Sequence, residues 1–385
     1  MTGMKRRELI KMLGMGLSVA PVSLNAPFAF GDDKQASSSR KVVWVMLRGG
    51  MDSLQTVVPA FDKDLMKHRR ALAEPVIDDL NSLGQGFGLH PALNHLYDWY
   101  QNKEMAPVVA VASPYRSRSH FEGQDFLESG LTTINHDSGW LGRALKATSK
   151  QGLAVAHSLP VSMRGQANAS TWFPSRFRVA EDDLYSQLFK LYQSDDLLRE
   201  RLEQGLQTRA MAEGAVSGNK KAHFEALAKA AGLLLKDDNS PNALMLEMGG
   251  WDTHDNEVFR LNRQLQQLDE GMGSLKKELG SVWKETLVII ATEFGRTVKV
   301  NGTMGTDHGT ASALLLAGGA VKGGQVLGEW PGLKSSQLYE GRDLMPTSDI
   351  RHWIGTAMQQ HWKMSDQHIA NVFPDLPTGK TTLIV

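Results

Sequence analysis

The sequence predicts an α/β fold whose sheet is mainly parallel and carries helices on both faces. Short apolar runs without polar alternation recur along the chain, at residues 41–47, 106–112, 153–156, 243–248, 286–291 and 312–317. Such runs are typical of strands that are buried on both faces. Between two of them, apolar residues from Val258 to Leu279 recur at alternating spacings of 3 and 4, which indicates a long amphipathic helix. A strand, a long helix and a second strand form the crossover unit of parallel sheets.

The first 31 residues are interpreted as an export signal that is separate from the fold. Arg6 and Arg7 precede an uncharged, modestly apolar stretch, and residues 29–31 offer a small-x-small cleavage site. The arginine pair indicates the twin-arginine type, so we expect the twin-arginine translocase as a partner during export. The stretch is short for a membrane span. We therefore expect a periplasmic or extracellular protein that does not span the membrane, with an uncleaved anchor as the alternative.

The remaining chain is predicted to form one domain. Residues 32–40 are polar and rich in Ser, which is typical of a linker. Residues 41–385 carry all the predicted strands and form the α/β domain. Within it, residues 181–236 are charged and contain no strand pattern, which predicts a helical insertion.

Charge and cysteine content exclude several classes of function. Lys+Arg and Asp+Glu both number 42, so no basic excess favours nucleic-acid binding. The chain has no Cys, which excludes disulfides, thiolate zinc sites and cysteine nucleophiles. Any metal must be held by His, Asp and Glu. The phosphate-binding loop, the dinucleotide fingerprint, the zincin motif and the serine-esterase elbow are also missing.

Acidic residues, His and Arg gather where the predicted strands end. They lie in the segments Arg48–Asp52, Ser113–His120, Glu247–His254 and Thr292–Arg296, which follow strands, and in Gly305–Gly309, which precedes the last one; all but Ser113–His120 also contain glycines. Ligands of open α/β sheets bind outside the carboxyl ends of the strands. Recurrence of these residue types on separate strands therefore suggests a carboxylate and imidazole metal site.

Seven segments together resemble a known family, the bacterial domain-of-unknown-function family 1501. They are Arg48–Asp52, Phe87–Pro91, Ser117–Phe121 with Asp125, Gly139–Gly142, Gly249–His254, Thr292–Thr297 and Gly305–Gly309. The family is similar to a branch of the alkaline phosphatase and sulfatase superfamily, and its members typically carry twin-arginine signals. The resemblance implies an alkaline phosphatase-like fold and a two-metal site that cleaves phosphate or sulfate esters.

The resemblance also implies which residues bind metal. Asp252, His254 and His308 match the ligands of one metal, while Asp52 and Glu293 match ligands of the other. Phe294 stands where the superfamily usually has a ligand histidine, so the second set is poorer. We expect one tightly bound divalent ion (Zn, Mn, Mg or Ca) and one weak or empty position, which Phe294→His should strengthen.

The nucleophile and the groups that bind the substrate stay open at this point. Alignment with the superfamily's nucleophile position gives His120, while the expected hydroxyl favours Ser119, one residue away. His120 could instead be the missing imidazole ligand, and Ser119 could simply cap a helix. Because guanidinium groups bind anionic oxygens in pairs of hydrogen bonds, three arginines are candidates for that role. They are Arg48, Arg118 and Arg296.

The predicted function is an exported, metal-dependent hydrolase of an anionic phosphate ester. A sulfate ester is less favoured, because sulfatases need a Cys or Ser in a motif whose spacing Ser113–Arg116 does not have. The alternative is a non-catalytic binding or scaffold protein of the cell envelope that keeps the fold, which Phe294 and the unclear nucleophile favour.

Overall fold

The computed structural model describes residues 40–165, 168–174, 182–212, 223–236, 240–374, 376 and 379–385. The predicted export signal at 1–31 lies outside the described residues, as does the predicted linker up to residue 39. The strands and helices below belong to the described part of the chain.

Eleven strands are present in the described chain. They are β1 (Lys41–Arg48), β2 (Val57–Pro59), β3 (Asn81–Gly84), β4 (Phe87–Leu89), β5 (Met105–Ala112), β6 (Gln151–Val155), β7 (Asn168–Trp172), β8 (Ala243–Gly249), β9 (Thr286–Thr292), β10 (Ser312–Ala317) and β11 (Ser348–Asp349).

Eight of these strands form one sheet in the order β11-β5-β10-β9-β1-β8-β6-β7, and β2, β4 and β3 form a small second sheet. In the large sheet, β1 pairs in parallel with both β8 and β9, and the pairs β6–β8, β6–β7 and β11–β5 are also parallel. Only β10 runs antiparallel to its two neighbours in this sheet. The predicted α/β class with a mainly parallel sheet is confirmed.

The reversed direction of β10 matters for the site. A segment that precedes an antiparallel strand lies at the same edge as segments that follow the parallel strands. The segment Gly305–Gly309 precedes β10, whereas Asp252 follows β8 and Glu293 follows β9. One sheet edge therefore receives all three segments.

Eleven α-helices accompany the strands. They are α1 (Ser53–Thr56), α2 (Lys63–Ala73), α3 (Asn94–Gln101), α4 (His120–Ser129), α5 (Trp140–Ala147), α6 (Asp182–Leu191), α7 (Asp196–Ala212), α8 (Phe224–Leu235), α9 (Glu257–Leu279), α10 (Ile350–Trp362) and α11 (Asp366–Val372). Four short 3-10 segments occur at Ile77–Asp79, Val161–Met163, Gly280–Glu285 and Ser335–Gln337.

Helices cover both faces of the large sheet, as predicted. Alternate residues of β1 belong to two separate cores, with Val43 and Val45 in one and Val42 and Trp44 in the other. The first core packs against α3, α8 and α9, and the second against α5, α10 and α11. Because β1 is buried on both faces, its sequence shows no polar alternation.

The segment predicted as a helical insertion carries α6, α7 and α8 in its described parts. Of these, α8 packs along α9, where Gly232 lies against the backbone of Leu275 and Gly271 against the Phe224 ring. Among the described residues, no helix is both long and apolar enough to cross a bilayer.

Candidate metal centre

Three segments from different parts of the chain bring His120, Asp252 and His308 together. Each offers one possible ligand atom, and these atoms all lie within 4.8 Å of one another. His120 opens α4, Asp252 follows β8, and His308 precedes β10. The Asp252 Oδ1 atom lies 3.1 Å from His308 Nε2, and its Oδ2 atom lies 3.4 Å from His120 Nε2.

His254 extends the cluster to a fourth side chain. Its Nε2 atom lies 2.9 Å from Asp252 Oδ1 and 3.0 Å from His308 Nε2. Gly305 allows the segment before β10 to lie close to the backbone of His254, because a Cβ atom at this position would lie 2.2 Å from the carbonyl carbon of His254. We define the metal cluster as His120, Asp252, His254 and His308.

The backbone of Arg118 fixes the tautomer of His308. The Nδ1 atom of His308 lies 2.9 Å from the Arg118 carbonyl oxygen, which can only accept a hydrogen bond. Nδ1 therefore carries the proton, and Nε2 presents a lone pair to the cluster. Arg118 adopts a left-handed conformation with φ of 61°, which is unusual for a residue other than glycine.

The carboxylate of Glu293 orients His120 in the same way. Glu293 Oε1 lies 2.8 Å from His120 Nδ1 and also accepts hydrogen bonds from the Gly49 amide and from Gln124 Nε2. Its other oxygen accepts a hydrogen bond from the Thr292 hydroxyl. Burial alone would raise the pKa of Glu293, but the hydrogen bonds from His120 and Gln124 lower it on balance. The ionised carboxylate accepts a hydrogen bond from Nδ1–H of His120, and His120 Nε2 faces Asp252.

Positive neighbours favour an ionised Asp252. Burial raises its pKa, but Arg296 and the three histidines of the cluster lower it on balance. The Arg296 guanidinium donates a hydrogen bond from Nη2 to Asp252 Oδ1 at 2.8 Å, and its side chain is fully buried. In contrast, burial lowers the pKa of His308, which favours the neutral imidazole that binds metals.

The donor set of this cluster fits a divalent cation. The Asp252 oxygens lie 3.1 Å from His308 Nε2 and 3.4 Å from His120 Nε2. The His120 Nε2 atom is buried and has no hydrogen-bond partner in the described structure. Imidazole ligands whose second nitrogen donates to a carboxylate or a carbonyl are typical of metal sites. Three imidazoles and one carboxylate suit Zn or a similar first-row ion.

Phe294, which stands at the superfamily's histidine position, packs beside the cluster. Its ring stacks on the His120 ring at 4.9 Å and lies 5.2 Å from the His308 ring. His120 of α4 therefore places an imidazole ring beside Phe294, whose own side chain cannot bind a metal. The sequence left open whether His120 is a ligand or marks the nucleophile, and its placement favours the ligand.

Asp52 has different partners from those that the family resemblance implies. Its Oδ2 atom accepts a hydrogen bond from Arg69 Nη1 at 2.7 Å, and both side chains are buried. Its Oδ1 atom caps α1 by accepting from the Leu54 amide. Burial and the nearby Asp52 carboxylate raise the pKa of Glu257 well above its usual value. The contacts of Asp52 therefore identify a buried ion pair where we expected a metal ligand.

Glu293 also differs from the expected ligand role, because both of its oxygens already accept hydrogen bonds. With Asp52 paired to Arg69, the two carboxylates expected at the weak second position are both occupied by protein donors. The described residues thus supply ligands for one ion at this edge of the sheet.

The arginines proposed as oxygen binders are held by carboxylates. Arg48 donates to Glu247, Gln124 and Glu128 at 2.7–2.8 Å. Arg118 pairs with Glu340 and Asp343. Arg296 pairs with Asp252, although its Nε and Nη1 atoms are buried and have no hydrogen-bond partner among the described residues.

Ser119 occupies the N-cap position of α4, directly before His120. Its amide donates to the Tyr115 hydroxyl at 2.9 Å, and its side chain makes no capping hydrogen bond. The hydroxyl of Ser119 therefore lies at a helix N-terminus and one residue from the metal cluster.

The sequence interpretation missed Gln124 and Arg69. Gln124 lies four residues after His120, which places both on one face of α4, and this spacing was available as a signal. Arg69 lies in α2, whose sequence contains several charged residues, and no motif distinguished it from the adjacent Arg70.

Comparison with solved structures finds remote similarity. PH0037 from Pyrococcus horikoshii is 13% identical, with a TM-score of 0.40, over 85% of this chain and 98% of that chain. A phosphonate monoester hydrolase of Agrobacterium radiobacter is 10% identical, with a TM-score of 0.41, over 84% of this chain and 74% of that chain. The C-terminal periplasmic domain of EcEptC from Escherichia coli, in complex with Zn, is 8% identical, with a TM-score of 0.40, over 74% of each chain.

Sequence comparison assigns the family. No curated protein matches the sequence. Residues 103–373, which include all four residues of the metal cluster, match the family described as Protein of unknown function (DUF1501). The chain belongs to that family.

Proposed function

We propose that the protein is a metal-dependent hydrolase of phosphate esters. The observation that carries the proposal is the metal cluster, in which three imidazoles and a carboxylate converge at the carboxyl edge of the sheet. Solvent reaches this cluster, since the side chains of Asp252 and His254 are 42% and 41% exposed. An anionic substrate can therefore approach the ligands directly.

His120, Asp252, His254 and His308 would hold the ion. A divalent cation bound there supplies Lewis acidity, which polarises an ester oxygen. Glu293 and the Arg118 carbonyl hold the Nδ1 protons of His120 and His308, and both Nε2 lone pairs are thereby kept available.

Arg296 supports binding of an anion. Its fully buried guanidinium lies against Asp252 and keeps two unpartnered donor atoms. A buried cation that is only partly neutralised adds positive potential to the neighbouring site. This potential favours a substrate that carries negative charge.

Ser119 is the proposed nucleophile. Its position at the N-terminus of α4 stabilises an alkoxide, because the helix dipole and the free amides favour negative charge there. Attack by its Oγ on phosphorus would form a phosphoserine and release the alcohol, and hydrolysis would then regenerate the hydroxyl. A water molecule that attacks directly is the alternative nucleophile.

Export through the twin-arginine pathway to the periplasm or the cell exterior is part of this proposal. It is supported by Arg6 and Arg7 in the N-terminal pattern. Replacing both with Lys should retain the precursor in the cytoplasm. Normal export of that double variant, measured by fractionation, would contradict the proposal.

Turnover tests the activity. Metal-stripped protein and protein reconstituted with Zn²⁺ or Mn²⁺ should be assayed with chromogenic phosphate monoesters, phosphate diesters and sulfate esters. We expect metal-dependent release of the chromophore from a phosphate ester, and loss of that activity in His308→Ala. Tight metal binding without turnover of any ester would contradict the hydrolase proposal.

A non-catalytic, metal-binding protein of the cell envelope is the second candidate. It is favoured by Arg48 and Arg118, whose guanidinium groups already bind carboxylates. In this case the metal cluster would bind its ion, and the same assay would detect no hydrolysis.

A further inference from the structure

The most exposed apolar side chains lie in the segments that carry the metal cluster. Eight large apolar side chains are exposed in the described chain. Apart from the last residue, Val385, the three most exposed are Phe121 at 84%, Phe259 at 63% and Met304 at 50%. We call these three residues the apolar rim.

Each residue of the apolar rim is close in sequence to a residue of the cluster. Phe121 directly follows His120 in α4, and Met304 precedes His308 by four residues. Phe259 lies in the first turn of α9, five residues after His254. Isolated exposed apolar residues are common on proteins and need no explanation, but their grouping marks a binding surface.

Hydrogen bonds hold Met304 against the segment that carries His254. The carbonyl of Met304 accepts a hydrogen bond from the Glu257 amide at 2.9 Å. The neighbouring Thr303 hydroxyl donates to the His254 carbonyl at 2.7 Å. Met304 and the start of α9, where Phe259 lies, are therefore beside each other on one side of the cluster.

Phe121 lies in α4, a different segment from those of Phe259 and Met304. The inner face of α4 is formed by His120, Gly123 and Gln124, and a Cβ atom at Gly123 would lie 3.1 Å from the Phe294 ring. Phe121 takes no part in that packing and is the most exposed large apolar residue of the described chain. Exposed apolar side chains are thus present on α4, directly after His120, and at the start of α9 with Met304.

We infer that the apolar rim binds the apolar part of the substrate, so that the substrate is an amphiphile: a phosphate ester that carries an alkyl chain. This inference rests on the proposed function, because the cluster would take the anionic end. An alkyl chain that lies along Phe121 or along Phe259 and Met304 removes apolar surface from water on both partners.

The charges around the rim favour such a molecule over an anionic membrane surface. Exposed acidic side chains accompany each rim residue: Glu122 beside Phe121, Asp255, which pairs with Arg260, before Phe259, and Asp307 after Met304. Anionic lipid surfaces attract clusters of Lys and Arg and repel acidic residues. A single amphiphile needs positive potential only at the cluster, where Arg296 and the bound cation supply it.

Binding of two phosphonates tests the inference without requiring turnover. Octylphosphonate and methylphosphonate share an anionic head whose carbon–phosphorus bond ester hydrolysis does not break. Calorimetry on the full chain with Zn²⁺ should show octylphosphonate binding at least about tenfold more tightly. The combined variant Phe121→Ser, Phe259→Ser and Met304→Asn should reduce this ratio to about two or less. Asn is chosen at 304 because the φ there is 58°, a conformation that Asn tolerates.

Leu197→Ser is the matched control, because Leu197 is an exposed apolar residue on α7 outside the segments of the cluster. It should keep the wild-type ratio. Equal affinities of the wild-type protein for both phosphonates would overturn the inference, as would an unchanged ratio in the combined variant. Preferential binding of octylphosphonate by a protein that hydrolyses no ester would contradict the proposed function and the amphiphilic substrate, while the binding of an alkyl chain by the apolar rim would stand.

Discussion

His120 Nδ1 lies 2.8 Å from the buried, ionised carboxylate of Glu293, and His120 Nε2 faces Asp252 across 3.4 Å. Glu293 therefore acts on the cluster through His120, by fixing the tautomer and the direction of its ring. The same principle holds for His308 and the carbonyl of Arg118. Both rings are thus held in place by contacts within the protein.

Glu293→Gln should weaken metal binding although no direct ligand is lost. A carboxylate can only accept a hydrogen bond from His120 Nδ1, whereas an amide can also donate one to it. In part of the molecules the proton would then lie on Nε2, and the lone pair of Nε2 would be lost. Loss of such a partner typically lowers metal affinity 10–100-fold. Competition with a chromophoric chelator measures the affinity, and the imidazole nitrogen shifts in NMR report the tautomer.

The control for this prediction is Glu247→Gln. It removes a carboxylate that accepts a hydrogen bond from Arg48 and does not contact His120. Its metal affinity should change less than about twofold. Equal losses in the two variants would indicate that Glu293 acts only through general charge.

In contrast to the expectation from the sequence, Phe294→His should not create a second strong metal site. Asp52 is paired with Arg69, and Glu293 already accepts hydrogen bonds from four donors, so a new imidazole would find no free carboxylate there. Mass spectrometry under native conditions should find one ion per chain in both the wild-type protein and the variant. Two ions of comparable affinity in the wild-type protein would contradict this reading of Asp52.

Arg69→Met should destabilise the fold strongly. The variant leaves the Asp52 carboxylate buried without its partner, and it also removes donors to the carbonyls of Thr297 and Val298. Breaking a buried pair in this way costs about 3–5 kcal/mol. Urea denaturation measures the loss in the free energy of unfolding.

Arg70→Met is the control in the same helix, since the Arg70–Glu74 pair is exposed at the surface. Its effect should stay within about 0.5 kcal/mol. A similarly small effect of Arg69→Met would show that the Asp52 pair does not stabilise the fold.

Stability should fall in acid partly because of His361. This side chain is buried, its Nε2 atom bonds to the Lys41 carbonyl, and burial lowers its pKa to about 3. In the unfolded chain the pKa returns to about 6.5. The unfolded state therefore binds one more proton between these values, and this stabilisation, complete above pH 6.5, is lost as the pH falls towards 3.

The contribution of His361 approaches about 1.4 kcal/mol per pH unit within that window. His361→Gln keeps a donor for the Lys41 carbonyl but does not titrate. Its unfolding free energy, measured by urea denaturation from pH 4 to 7, should depend on pH with a slope smaller by about one proton. An unchanged slope would show that His361 does not carry this dependence.

The sequence was sufficient for the sheet because β1, β9 and the first four residues of β8 are buried on both faces and read as apolar runs. It also placed Asp252 and His254 at one edge, since the strand that they follow is visible in sequence, whereas His308 was implied by the family resemblance. It did not reveal that β10 is antiparallel, because the pattern of a buried strand contains no direction.

The partners of Asp52 and Glu293 could not be predicted for a different reason. Each depends on a contact between distant segments, Arg69 of α2 in one case and His120 of α4 in the other. A carboxylate beside a glycine-rich strand end has the same sequence pattern whether it binds a cation, a guanidinium or an imidazole. Only the tertiary contacts distinguish these roles.

Metal titration of the stripped protein tests the central claim most directly. Zn²⁺ added to the wild-type protein should bind one tight site per chain, and His308→Ala should weaken that site more than about 100-fold. His95→Ala, which removes an imidazole of α3 outside the cluster, should bind like the wild-type protein. Binding that does not depend on His308, or two equally tight sites in the wild-type protein, would show that the cluster of His120, Asp252, His254 and His308 is not the metal centre.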